Sequence, residues 1–274
     1  MSSVTAPYQD PVMRIDWSAV DRECWWLPPD ALSLSGVPEF EALPCAVRQR
    51  LSQFEYVPLL QTGLWLEALF IERLALLAGR CDDPDRRACY LREIREEAGH
   101  SLMFGELIRR SGLAVVPART GAVRWAPALG RAIAPGSALF WALVVAGEEV
   151  PNRLNIRLLR GVEEVTLSTV VYRMARIHVR DESTHAALAR AQCEAATKRL
   201  GTLRRELFSI ALAPMLRALS NHFHYPPPAI YESAGLHPVA RWRSLMRRNP
   251  VRQALAVATL EPTLEFLRRI GLRV

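Results

Sequence analysis

Residues 175–189 read ARIHVRDESTHAALA, and this stretch predicts both a helix and a metal site. Its polar residues His178, Glu182 and His185 have the spacing H-x-x-x-E-x-x-H. At about 100° per residue, these positions lie at roughly 0°, 40° and −20° around a helix axis. One helix can therefore direct two imidazoles and one carboxylate towards a single point.

A second pair of the same type lies in another periodic segment, where residues 96–100 read EEAGH. Glu97 and His100 are three positions apart, so they are neighbours on one helix face. A single E-x-x-H is common on solvated helices. Two such pairs in different long helices, both flanked by apolar residues, predict a shared site built from convergent side chains.

Apolar residues recur with helical spacing through most of the chain, and no segment shows the alternation of a strand. Asp82 or Asp83 can cap the second helix, with Pro84 in its first turn. Gly79 is a typical terminator of the first. The predicted long helices span Leu59–Ala78, Pro84–Arg110, Ser137–Arg160 and Glu164–Lys198, and further helices span Thr202–Leu219, Pro238–Arg248 and Val251–Ile270.

These helices predict an all-α fold with a four-helix bundle at its centre. We expect one domain over residues 1–274, with the bundle core at about 50–200. Residues 1–45 are rich in proline and tryptophan and read as an arm that packs over the core, and residues 202–274 supply additional helices. A connection is predicted from Val116 to Gly136.

A di-metal site in such a bundle uses one E-x-x-H from each of two helices and one glutamate from each of the other two. The first helix offers Glu67 and Glu72. If the first two helices form a hairpin about residue 82, Glu67 and Glu97 are equally far from the turn. Glu67 is therefore the preferred ligand, and Glu72 is the alternative.

The third helix offers Glu148 and Glu149, which follow the apolar run LFWALVVAG. Glu148 lies four residues beyond Val144, on the apolar face, where a carboxylate is costly unless it is paired or bound to metal. Glu148 is the preferred ligand. Glu149 is the alternative, and would otherwise pair with Arg153.

Carboxylate and imidazole ligands without thiolate favour iron or manganese. The predicted cofactor is a pair of iron ions, with O2 as the co-substrate of the reaction. A mixed manganese–iron pair is the alternative. Asp181 and Arg180 are candidates for orienting the ligands.

His222, His224 and His237 lack ligand spacing and are predicted to be surface residues or outer neighbours of the site. The five scattered cysteines, without a CxxC pair, predict buried free thiols.

The formal net charge is +7, and Lys198 is the only lysine. The charge favours an acidic partner, but the arginines form no nucleic-acid motif, so nucleic acid is not an expected partner. No apolar run reaches the roughly 18 residues of a membrane helix, and the N-terminus lacks a signal-peptide pattern. We therefore expect a cytoplasmic protein without membrane contact. The sequence does not fix the oligomeric state, and a homodimer is one option.

The H-x-x-x-E-x-x-H element, together with EEAGH, resembles the p-aminobenzoate N-oxygenase family of ferritin-like diiron enzymes. That family has a seventh protein ligand, a histidine four residues before the glutamate of the second E-x-x-H, and His178 matches it. The resemblance covers about residues 50–200. The ligands it implies are Glu67, Glu97, His100, Glu148, His178, Glu182 and His185, with His178 also shaping catalysis.

The resemblance implies a ferritin-like fold and oxidation of an amine nitrogen by O2 in secondary metabolism. Its members act on arylamines, and related enzymes act on amino acids that are free or attached to an acidic carrier protein. An electron donor is a further implied partner. The alternatives are another diiron oxidase, hydroxylase or desaturase, and an iron-binding ferritin-like protein without an organic substrate.

Overall fold

The computed structural model describes residues 8–113, 126–161 and 165–274. Most of these residues are helical, which confirms the predicted all-α fold. The helices are α1 (Pro38–Glu41), α2 (Cys45–Gly79), α3 (Pro84–Ser111), α4 (Ala126–Ala132), α5 (Ala138–Arg160), α6 (Thr169–Lys198), α7 (Thr202–His224), α8 (Ala229–Ser233), α9 (Val239–Arg248) and α10 (Pro250–Arg269).

Four long helices form the central bundle. α2 packs along α3, α5 packs along α6, and α3 contacts α6 between the two pairs. α7 and α10 pack against each other and against α5. The C-terminal helices therefore add a wall on the α5 side of the bundle.

Side-chain caps fix where three of these helices begin. Asp83 accepts hydrogen bonds from the backbone N–H groups of Asp85 and Arg86 at the start of α3. Ser137 caps α5 and Ser168 caps α6, each through its hydroxyl oxygen. Because each cap fixes the first turn, it also fixes which face of its helix points into the bundle.

The predicted start of the first helix at Leu59 is wrong, because α2 begins at Cys45. Residues 51–58 are all buried, so this part of the helix has no polar face. Helical periodicity is weak where every side is apolar or enclosed. Pro58 lies inside α2, and its carbonyl oxygen accepts a hydrogen bond from the Thr62 hydroxyl at 2.9 Å.

Other boundaries also differ from prediction. The predicted start of the fourth long helix, Glu164, lies outside the described residues, and α6 begins at Thr169. The predicted connection lies partly outside them too, and its described part contains α4. α7 continues to His224 instead of ending at Leu219, and α8 lies between the predicted helices, directly after three consecutive prolines.

Tryptophans anchor the N-terminal arm to the bundle. Trp26 is fully buried and makes an edge contact with Tyr56 of α2, with ring centroids 6.3 Å apart. Its indole N–H donates to the carbonyl of Asp21 at 2.8 Å. Trp25 pairs with Leu167, just before α6, in an isolated parallel bridge. The arm is thus tied to both helix pairs of the bundle.

We expect Trp26→Ala to lower the free energy of unfolding by about 3–5 kcal/mol, the usual cost of truncating a buried large aromatic side chain. Urea denaturation followed by circular dichroism measures this loss. Met13→Ala is the control, since Met13 lies in the same arm and is 83% exposed. Equal unfolding midpoints for the two variants would contradict the anchoring role of Trp26.

All five cysteines are free. Cys24 and Cys193 are buried, as predicted, but Cys45 is exposed and Cys81 and Cys89 are half-buried, so the prediction of buried thiols is wrong for those three. No helix in the described parts of the chain combines the length and apolar character needed to cross a bilayer.

Candidate metal centre

The seven ligand candidates lie together at the centre of the bundle in two neighbouring groups. The ligand atoms within each group lie within 4.8 Å of one another, and every one of these side chains is buried. The first group contains Glu67, His100 and His178, and the second contains Glu97, Glu148, Glu182 and His185.

All four long helices contribute to these groups. Glu67 comes from α2, the E-x-x-H pair Glu97 and His100 from α3, and Glu148 from α5. α6 supplies the remaining three residues, as the spacing in 175–189 predicts. On each helix, the ligand candidates therefore lie on the side that faces the buried core of the bundle.

Two carboxylates lie between the groups. Oε1 of Glu182 is 3.4 Å from Nδ1 of His100, and its Oε2 is 3.6 Å from Nδ1 of His185. Glu97 repeats this arrangement, with Oε2 3.5 Å from His100 and Oε1 2.9 Å from His185. Each carboxylate can thus give one oxygen to each group, which is the geometry of a bridging ligand.

His178 completes the first group. Its Nε2 is 3.3 Å from Oε1 of Glu182 and 3.9 Å from Oε1 of Glu67. Burial lowers the pKa of His178 to about 4, so its imidazole is neutral at neutral pH and has a free lone pair. A neutral imidazole nitrogen is the form that binds metal.

The other nitrogen of two histidines faces a carboxylate outside the groups. Nε2 of His100 is 3.3 Å from Oδ2 of Asp181, and Nε2 of His185 is 2.9 Å from Oε2 of Glu96. Such a carboxylate fixes the tautomer and ring orientation of a metal-binding histidine. The pairing leaves Nδ1 of both histidines directed at the carboxylates between the groups.

The alternatives for two ligands lie elsewhere. Glu72 points away from the centre and pairs with Arg131 at 2.7 Å. Glu149 does not pair with Arg153, as the alternative interpretation expected, but with Arg190 of α6, and it accepts a hydrogen bond from the Thr263 hydroxyl at 2.6 Å. Glu149 thereby links α5 to α6 and to α10.

The metal-free centre concentrates charge that needs compensation. Burial, with repulsion from nearby carboxylates, raises the pKa of Glu67 and Glu148 well above the ordinary value. Burial alone would lower the pKa of His100 and His185, yet hydrogen bonds to carboxylates raise both well above normal. Protons therefore take up the charge that bound cations would neutralise, and metal binding must release them.

The hydrogen bonding of the centre fits metal ions. Buried polar atoms that face its middle have no hydrogen-bond partner of good geometry, and leaving such atoms unpaired is costly. They are Oε1 of Glu97, Nδ1 of His100, Oε1 of Glu148, Oε2 of Glu182 and Nδ1 of His185. These oxygen and imidazole donors, without thiolate, suit iron.

Glu93, one helical turn before Glu97, is a buried carboxyl group that the sequence interpretation missed. It is 3% exposed, and neither of its oxygens has a hydrogen-bond partner among the described residues. Burial raises its pKa to about 8, so the carboxyl group is protonated at neutral pH in the metal-free protein. The sequence offered one signal for it: Glu93 lies four residues before Glu97, so the two share a helix face.

We expect the unfolding free energy of the chelated protein to fall with pH because of Glu93. The folded state retains a proton that the unfolded state loses above the ordinary pKa of 4.5. This stabilisation is complete below pH 4.5 and is lost as the pH rises through about 8. Urea unfolding at pH 5.5 and 8.5 should show a decrease on the order of 1 kcal/mol or more.

Glu93→Gln isolates this contribution, because glutamine keeps the shape of a neutral carboxyl group and does not titrate. The decrease between the two pH values should be smaller in the variant than in the wild type. Identical pH profiles would show that Glu93 is ionised throughout, which contradicts its raised pKa.

An apolar cavity of ≈ 60 Å³ adjoins the centre. Five of the ligand candidates form one end of it, and Asn155 lies beside them, with its amide nitrogen 3.1 Å from Nδ1 of His178. The remaining wall is mostly leucine and phenylalanine, and Leu27 from the N-terminal arm is part of it. A small molecule in this cavity would lie directly against the metal-ligand candidates.

The structure also places the other predicted polar residues. Asp181 contacts His100, but Arg180 is exposed. The prediction for His224 is wrong: it is fully buried, with Nδ1 2.8 Å from the Ser220 carbonyl and Nε2 2.9 Å from the Thr259 hydroxyl, so it is a core histidine with both nitrogens paired. His237 is exposed.

Two comparisons place the chain among known proteins. A family model described as p-aminobenzoate N-oxygenase AurF matches residues 1–271. Uncharacterized proteins of Mycobacterium bovis and of Mycobacterium tuberculosis strain H37Rv are each 28% identical over 234 residues, which cover 82% of this chain. The aligned region spans 66% of the length of these relatives.

Proposed function

The chain belongs to the p-aminobenzoate N-oxygenase AurF family of ferritin-like diiron proteins, and from that premise we propose that it is a non-haem diiron N-oxygenase. The proposed reaction uses O2 to convert an amine to a hydroxylamine, or further to a nitroso or nitro compound. The observation that carries the proposal is the pair of buried carboxylate–histidine groups at the end of an apolar cavity.

The first oxidation step needs an external reductant. An amine R–NH2, O2, two electrons and two protons give R–NHOH and H2O, so one oxygen atom enters the substrate and the other leaves as water. The electrons come from a donor protein or a soluble reductant. Two bound iron ions would supply the O2 chemistry, which organic side chains cannot perform.

The chain's own residues hold and shield these ions. In the proposed site Glu67, His100 and His178 would hold one iron, Glu148 and His185 would hold the other, and Glu97 and Glu182, which face both groups, would serve both ions. Asp181 and Glu96 accept hydrogen bonds from the outer nitrogens of the two E-x-x-H histidines, which keeps Nδ1 directed inward. Ser101 donates to Oε2 of Glu67 at 2.6 Å and orients the carboxylate.

The cavity wall holds the substrate and excludes water. Its apolar side chains let the amine body approach the centre without competing hydrogen bonds, and a dry site strengthens the interactions of the ligand carboxylates. Asn155 lies at the junction of cavity and centre. Its amide is positioned to hold the His178 ring and to contact an amine nitrogen that enters the site.

The amine could arrive as a small molecule or attached to an acidic carrier protein. The formal charge of +7 would steer such a carrier towards this chain, and the attraction would weaken as salt is added. Titration with the carrier at low and high ionic strength tests this part of the proposal. Binding that is unchanged by salt, or no binding, would argue for a free small-molecule substrate.

The decisive experiment is metal analysis of the purified protein, followed by mixing of the reduced protein with O2 in an optical cell. We expect about two irons per chain and a transient visible absorption that decays faster when an amine is present, with a hydroxylamine, nitroso or nitro product. A protein that takes up no iron under anaerobic reconstitution and shows no optical change would overturn the proposal.

A further inference from the structure

The wall of the cavity has a marked chemical character. Beyond the metal ligands, its only polar described residues are Tyr56 and Asn155. The rest of the described lining is apolar, and includes Leu59, Leu154, Leu158 and Met174. No lysine or arginine belongs to the part of the lining that the structure describes.

The metal end of the cavity also offers no excess positive charge. The proposed ligand set contains four carboxylates and three neutral imidazoles, so its four negative charges balance two divalent cations. The histidine partners outside this set, Glu96 and Asp181, are acidic as well. A second anion brought to this region would meet a neutral or negative environment.

A carboxylate on the substrate would therefore meet no cation in the described lining, where Tyr56 and Asn155 are the hydrogen-bond donors beyond the metal ligands. An ionised group moved from water into an apolar wall loses its hydration, and only a cation or several hydrogen bonds can offset that loss. An uncharged amide or ester loses much less, because it has no net charge to desolvate. The cavity thus distinguishes substrates by the charge on the part of the molecule that contacts the apolar wall, away from the amine nitrogen.

We infer that this cavity accepts amines whose body is uncharged and apolar, and discriminates against amines that carry a carboxylate. This inference rests on the proposed function for the direction of the amine towards the metals. It narrows the substrate class to three kinds of amine without a free carboxylate. These are arylamines, alkylamines and amino acids whose carboxyl group is linked to another molecule through an acyl bond.

Leu154 marks the level at which the discrimination acts. It follows Glu148 by six residues on α5, so it lies about 9 Å further along the helix axis. The para substituent of an aniline whose nitrogen lies at the metals reaches about this level. Leu154 is 8% exposed and lines the wall with a side chain that is entirely hydrocarbon.

The test uses 4-aminobenzoate and 4-aminobenzamide, which have nearly the same shape and differ by one charge. Calorimetry on the protein loaded with Zn²⁺, which does not react with O2, measures binding apart from turnover. We expect the amide to bind about tenfold or more tightly than the carboxylate, equivalent to a difference of about 1.4 kcal/mol. Equal or tighter binding of the carboxylate, or no binding of the amide, would overturn the inference.

A pair of variants locates the effect. Leu154→Lys places a cation in the wall and should raise the affinity for 4-aminobenzoate relative to the amide by about tenfold. Leu154→Met is the matched control and should keep the wild-type preference. If the lysine variant fails to fold, as judged by circular dichroism, the wild-type comparison still decides the inference.

This experiment separates the inference from the proposed function. Tight binding of the amide without any oxidation by the iron-loaded protein would leave the substrate class standing and remove the N-oxygenase assignment. If the iron-loaded protein oxidised 4-aminobenzoate and bound it more tightly than the amide, the N-oxygenase assignment would stand and the inferred substrate class would fail.

Discussion

Glu182→Ala is expected to abolish O2 chemistry and to reduce the iron content from about two ions per chain to one or fewer. Glu182 is 1% exposed, and its two oxygens lie 3.4 Å and 3.6 Å from His100 and His185, one in each metal group. In the proposed site, removal of this carboxylate would take a ligand from both ions at once. Loss of an outer partner alone costs about 10–100-fold in metal affinity, so we expect a larger loss here.

Metal analysis after anaerobic reconstitution and gel filtration measures the stoichiometry, and competition with a chelator measures the affinity. Glu194→Ala is the matched control on the same helix, because the Glu194 side chain is 46% exposed and forms an ion pair with Lys198 at 2.7 Å, away from the centre. The control should retain both ions. Retention of both ions with unchanged affinity in Glu182→Ala would rule out the bridging role.

His178→Ala is expected to leave the fold intact and to reduce the proposed N-oxygenation by about 100-fold or more, or to redirect it to another product. The imidazole is buried at the boundary between the first metal group and the cavity, where it touches both the ligands and the substrate space. Its removal leaves the first group with Glu67, His100 and the bridging oxygens. The second group keeps all of its residues.

The readouts for this variant separate structure from chemistry. Circular dichroism and the unfolding midpoint report the fold, metal analysis should show the second iron retained, and added imidazole should restore part of the turnover by filling the space left by the side chain. Arg176→Ala, an exposed substitution two residues away, is the control. Wild-type turnover in His178→Ala would show that the extra histidine has no part in the reaction.

These two variants test different features of one site. Glu182 lies between both metal groups, whereas His178 belongs to one group and also faces the cavity. Loss of metal in the first variant, with altered chemistry and partial metal retention in the second, is the combination that a diiron N-oxygenase predicts. Loss of both metals in both variants would instead indicate that His178 acts mainly to hold iron.

Helical periodicity determined much of this site before any contact was known. Residues three, four and seven apart share a helix face, so the spacing of His178, Glu182 and His185 was enough to place them together. The same argument, with the cost of a carboxylate on an apolar face, selected Glu148 over Glu149. The hairpin symmetry about residue 82 selected Glu67 over Glu72. The structure brings the preferred residue of each pair into the centre.

Periodicity failed where a helix is enclosed on all sides or where a contact joins distant segments. Residues 51–58 of α2 are buried throughout, so they had no exposed polar face to reveal them. His224 was predicted to be a surface residue or an outer neighbour of the site, yet α7 continues through it and α10 covers it. Its partner Thr259 is 35 residues away in the chain.

The sequence by itself determined the all-α fold, the helices that carry the polar residues and the two E-x-x-H pairs, because each of these depends on local spacing. The hairpin symmetry and the family resemblance completed the set of seven ligand candidates. Only the tertiary structure decided that Glu97 and Glu182 lie between the two groups, that Glu96, Asp181 and Asn155 contact the histidines, and that an apolar cavity ends at the centre. Those features depend on how the helices approach one another and on the side-chain rotamers that close packing permits, and neither is encoded in the spacing along a single helix.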